Sequence, residues 1–249
     1  MLEGGCSGSL DIREDFVFLP KHTFPMFIKK MEWQLPIQKV EIGNINIGSP
    51  WAREHSKEYE QKPMAPLSYF GTQFRIPFVS VLFPPLPILE YNHVTGKLVL
   101  DMSETSLACI KLQTLQETLI SAIVYHQHGW FKTDMSKEVV KNGFQPIFVD
   151  NHLHLYCPCV GMQQGIKGVP YYRNEKWNAS FTPGDLATGS KIRVAVKIHG
   201  ISFLNSADGA WTGRCRLQHR VLGILHQVGA EVVPRVSLKK PILNLIANE

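Results

Sequence analysis

Two segments, KIRVAVKIHGISFL (191–204) and TGRCRLQHRVLGIL (212–225), constrain the fold more than anything else in the chain. Successive side chains on a strand point to opposite faces, so a sustained period of two marks a strand with one buried side. In the first segment Ile192, Val194, Val196 and Ile198 alternate without fault with Arg193, Ala195, Lys197 and His199. In the second, Cys215, Leu217, His219 and Val221 alternate with Arg214, Arg216, Gln218 and Arg220. The turn-rich stretch NSADGAWT between them is short enough to make the pair an antiparallel hairpin.

In such a hairpin Arg193, Lys197 and His199 share a face with Arg214, Arg216, Gln218 and Arg220, while the aliphatic residues of both strands, Leu217 and Val221 included, turn to the core. Neither strand contains Asp or Glu. Six of the 26 Lys and Arg residues fall between 191 and 220, in a chain whose formal net charge is +5. A cluster on strands makes a surface, whereas a lysine-rich tail makes a tether. Just upstream, Tyr171, Tyr172, Arg173, Lys176 and Trp177 read as part of an irregular loop over 161–185. Cations for phosphates and flat rings for bases, the latter worth ~1–3 kcal/mol per stacked base, are what single-stranded nucleic acid requires. The alternative is a solvated outer sheet face, charged for solubility.

The remaining chain reads as mostly strands around one long helix. FVFLP (16–20) and residues 24–48 look strand-like, with Val40, Ile42, Ile45 and Ile47 inward, and residues 49–73 look like a long loop. Arg75 to Phe83 reads as a buried strand, stopped by Pro84, Pro85 and Pro87, and KLVLD (97–101) follows a turn. A helix is expected from Glu104 to Gln127, capped by Asp101 or Ser103 and ended by Gly129, with Leu112, Leu115, Leu119, Ala122, Ile123 and His126 as its apolar stripe. A second short helix over 136–142 and strands at 146–150 and 152–158 complete the pattern. The expected class is α+β, mainly β: strands with one central helix. Residues 1–73 form a strand-rich N-terminal extension or arm, 74–230 the nucleic-acid-binding core and 231–249 a tail.

With 44% hydrophobic and 19% charged residues among 249, the chain can bury a substantial core. No window approaches the ~18 consecutive apolar residues of a membrane span, and the first residues lack the basic and apolar regions of a secretory signal. Five scattered cysteines suit a reducing compartment. The expected location is therefore intracellular, cytoplasm or nucleus, with no membrane partner. His152, His154, Cys157 and Cys159 suggest zinc by composition, but on a strand the histidines face one way and Cys157 the other, so no metal or other cofactor is expected. No G-x-S-x-G, Walker or Rossmann glycine pattern occurs, and an enzyme is not expected.

The layout over residues 74–226, with LVLDMSE entering the long helix and GDLATGSKIRVAVKIHGISFL and TGRCRLQHRVLGIL as closing strands, resembles the OB-fold single-stranded DNA-binding proteins of large DNA viruses and related mobile elements. The resemblance implies that residues 74–230 form an OB-like barrel or sheet with a central helix, in that family a five-stranded barrel whose face and loops hold nucleic acid, and it assigns that role here to Arg193, Lys197, Arg214, Arg216, Arg220, Tyr172 and Trp177. The expected function is non-enzymatic single-stranded DNA binding in replication or recombination, with homo-oligomerisation open. The competing expectation is a viral structural or assembly protein that places this basic face at a subunit interface.

Overall fold

The computed structural model describes residues 34–51, 63–71, 75–159, 168–173, 176–178 and 181–226; expectations for residues 16–20 and 24–33 and for the C-terminal tail lie outside them. The strands are β1 (Leu35–Pro36), β2 (Ile45–Ile47), β3 (Met64–Phe70), β4 (Arg75–Ile76), β5 (Val79–Leu82), β6 (Leu86–Asn92) and β7 (Lys97–Asp101). Helices α1 (Ser106–Phe131) and α2 (Lys137–Gly143) follow. Then come β8 (Phe144–Gln145), β9 (Phe148–Val149), β10 (His152–Tyr156), β11 (Tyr171–Arg173), β12 (Lys176–Asn178), β13 (Lys191–Asn205) and β14 (Trp211–His226). The class is α+β, mainly β.

The organising element is the β13–β14 hairpin, because a strand of 15 residues has room for several neighbours along one edge. β5, β6 and β3 all pair antiparallel with β13, each along a different stretch. The main path runs β12-β11-β14-β13-β6-β7-β10-β9, and no ladder joins its ends, so the described sheet is mixed and open. It nevertheless curls. Tyr156 N–H at the end of β10 donates to His219 Nε2 on β14 over 2.9 Å, a single bridge where a barrel would have a ladder.

A bulge at His199 shifts the inward set of β13 from Ile192, Val194, Val196 and Ile198 to Ile201 and Phe203. A second shift, at Leu222, moves the inward set of β14 from Val221 to Ile224. These residues join Leu112, Leu115, Leu119 and Ile123 of α1 in one hydrophobic core. Ile37, Val40, Ala65, Leu67 and Tyr69, from the described part of residues 1–73, belong to the same core.

Several boundaries differ from expectation. α1 ends at Phe131, two residues beyond Gly129, because Phe131 packs on Phe203 and Trp211 at centroid distances of 4.8 and 5.0 Å; Lys132, in the left-handed region (φ 54°), closes it. Its N-cap is Thr105, not Asp101 or Ser103, because Asp101 instead accepts from Ser103 N–H at the end of β7. Gln127 rather than His126 completes the buried stripe, and Ala122 is only half-buried. The expected loop over 49–73 contains β3, with Ala65, Leu67 and Tyr69 buried. The strand-like stretch over the described part of 24–48 instead holds two 3-10 turns, Ile37–Lys39 and Ile42–Asn44, between β1 and β2, and the stretch from Arg75 breaks into β4 and β5. Among the described residues only α1 has the length and apolar composition to cross a membrane, and its inner side lies in this core.

Candidate nucleic-acid interface

Opposed residues on neighbouring strands share a face, so the ladders arrange the outer side of the hairpin in rows. Arg214 stands opposite Leu204, Arg216 opposite Ser202, Gln218 opposite Gly200 and Arg220 opposite Lys197. Further along, Gly223 faces Ala195 and Leu225 faces Arg193. All five basic positions expected from sequence therefore lie on one face, despite two bulges.

They are not equivalent. Arg214, Arg216 and Arg220 are exposed, and among the described residues no carboxylate lies within ion-pair distance of them. Lys191 and Arg173 nearby are paired, with Glu104 at 3.4 Å and Asp185 at 3.6 Å. Lys197 is half-buried with its ammonium 3.7 Å from the centre of the Phe78 ring, which holds part of its charge in an internal contact. Arg193 is half-buried, and its Nε makes no hydrogen bond among the described residues. Gln218 donates to Ser202 Oγ over 2.6 Å, tying the middle row together.

The aromatic flank is not the loop expected over 161–185. β11 runs parallel to β14 and pairs antiparallel with β12. Tyr172 stands opposite Leu225 and extends the Arg193 row, so it lies on the basic face and is half-buried. Tyr171 points to the core, where its hydroxyl meets His226 Nδ1 at 2.6 Å. Trp177 is the register partner of Tyr172, and its side chain lies outside the described residues.

Under the face sits His219, directed inward opposite Ile198. Burial lowers its pKa to about 4, and the nearby Arg216 and His199 act in the same direction. As the acceptor from Tyr156 N–H, the ring is neutral. His152 and His154 have ring centroids 6.4 Å apart, while Cys157 and Cys159 are buried. Among the described residues no three His, Cys, Asp or Glu side chains gather as a metal site would need.

Sequence reasoning missed Phe78, His219 as a bridge and the Ala195–Gly223 pair. Only the strand register reveals them, because each depends on which residue of a distant strand stands opposite. Comparison of the chain with protein-family models, curated proteins and solved structures found no match to any of them.

Proposed function

We propose that the protein binds single-stranded nucleic acid, as a non-enzymatic DNA-coating protein of replication or recombination, through the outer face of β13 and β14. The observation that carries this reading is the row of exposed Arg214, Arg216 and Arg220 on one strand without a described carboxylate partner. A face kept charged only for solubility gains by interspersing both signs. Unneutralised cations along a strand, with Tyr172 on the same face, suit a chain of phosphates carrying stackable bases. The OB-like part of the reading draws on the curl of β14, β13, β6, β7 and β10, whose ends meet through the Tyr156–His219 hydrogen bond.

A second reading is a self-assembling structural protein with this face at a subunit interface; the exposed Leu107, Ile110 and Tyr125 of α1, on the other side of the sheet, would give such an assembly a further apolar contact. Fluorescence anisotropy with single-stranded and duplex oligonucleotides of equal length, beside gel filtration of the protein alone, separates the two. Tighter binding to the single strand by a protein that is discrete without DNA is expected. Assembly without DNA, with no shift on adding either oligonucleotide, supports the structural reading and rejects the first.

A further inference from the structure

The rows of the basic face differ in height, and the difference falls beside Arg220. On one side stand Lys197 and Arg220, and on the other Arg193, Leu225 and Tyr172. Between them lies Ala195 opposite Gly223, the two smallest side chains available, with Leu82 continuing the row on β5. The result is a trough across β13 and β14, closed at β5 by Leu82. Paired residues along a strand rise ~3.3 Å each, so the tall rows, four positions apart on β13, stand roughly 13 Å from one another before side chains narrow the gap.

Backbone geometry does not explain the glycine. Gly223 lacks a positive φ, and a Cβ there would meet only Pro170 O at 3.7 Å and Tyr172 Cε2 at 3.9 Å, ordinary contacts. Gly200 is different, since any Cβ at that position runs into the Ala65 carbonyl. A strand-interior glycine that the fold does not need, at the centre of a cationic face, leaves room above the sheet for something to approach closely. The same 3.9 Å distance places the Tyr172 ring as a wall of the trough. Gly223 is half-exposed and Ala195 buried, so the trough opens on the β14 side, next to the arginine row.

We propose that this trough is a subsite for one planar nucleobase, lying over Gly223 and against the Tyr172 ring, with the neighbouring phosphate on Arg220. The proposal rests on the single-strand-binding reading and gives its base stacking a defined place, between Gly223 and Tyr172. The experiment compares an oligothymidylate with an abasic deoxyribose-phosphate strand of the same length and charge. Wild-type protein should prefer the base-bearing strand by about tenfold, the order of one stacked base. Gly223→Leu fills the trough and should abolish this preference while leaving abasic-strand affinity and its salt dependence unchanged. Tyr172→Leu, which keeps bulk but removes the ring, should also lose the preference, and Gly223→Ala should bind nearly as wild type. Retained preference in both Gly223→Leu and Tyr172→Leu overturns the subsite. Equal wild-type affinity for the two strands also rejects it but leaves the basic face standing, whereas binding to neither strand removes the face and the subsite together.

Discussion

The five cations on the face carry different expectations because their surroundings differ. Arg214, Arg216 and Arg220 are exposed and unpaired with any described carboxylate, so Ala at any one should leave thermal stability within ~0.5 kcal/mol of wild type. Each replacement should nevertheless weaken single-strand binding and flatten the log K against log salt plot by ~0.7, the counterion release of one lost phosphate contact. Unchanged affinity in all three variants at two salt concentrations would sink the phosphate-binding role of this strand. Lys197→Ala should behave in the opposite way. Its ammonium over Phe78 contributes ~0.5–1 kcal/mol to the fold, so unfolding midpoints should drop while the salt slope changes less than for Arg216→Ala. The arginines were legible in the sequence because alternation alone separates the two sides of a strand. The commitment of Lys197 was not, because it depends on β5 running beside β13 with Ser80 opposite Lys197.

Elements were legible where local pattern and packing agree. β13, β14 and α2, whose N-cap Ser136 accepts from Val139 N–H, follow their sequence signals closely. α1 overran its glycine because an exposed Gly129 costs only ~1 kcal/mol of helix propensity, less than the burial of aromatic surface by Trp130 and Phe131 against Phe203 can return. β3 was hidden by Pro66, which reads as a strand breaker. Proline lacks only the donor, however, and the Pro66 carbonyl still accepts from Gly48 N–H over 2.8 Å. Two substitutions probe this layer. Leu119→Ala, in the middle of the buried stripe, should cost ~2–5 kcal/mol in denaturant unfolding, and a neutral result would mean that α1 does not pack on the sheet. Gly200→Ala should cost ~1–3 kcal/mol, because the Ala65 carbonyl of β3 must be pushed away from β13 at the bulge. If Gly200→Ala is as stable as wild type, β3 and β13 do not approach as described.

At the scale of the whole molecule, the described hydrogen bond that ties β10 to β14 ends on a titratable side chain, Tyr156 N–H donating to His219 Nε2. That bond exists only while the ring is neutral. Burial lowers the His219 pKa from 6.5 to about 4, so between these values the unfolded chain binds a proton that the folded chain refuses. The contribution to stability is therefore complete above 6.5 and is lost as pH falls toward about 4. His154 and His226, also lowered chiefly by burial, act in the same direction. Asp101, Asp185 and Asp208 have pKa values held below 3.8 by hydrogen bonds, and the stability they supply is lost only at more acidic pH, below the histidine window. Taking His219 alone, unfolding free energy at about pH 5 should lie about 2 kcal/mol below its value at about pH 7.5. His219→Gln supplies an acceptor that does not titrate. It should be somewhat less stable at neutral pH, where the ring's packing is lost, and should show a much smaller drop between the two pH values. Urea unfolding of both proteins at each pH measures this directly. An equal drop in wild type and His219→Gln would place the acid sensitivity elsewhere than in the β10–β14 hydrogen bond.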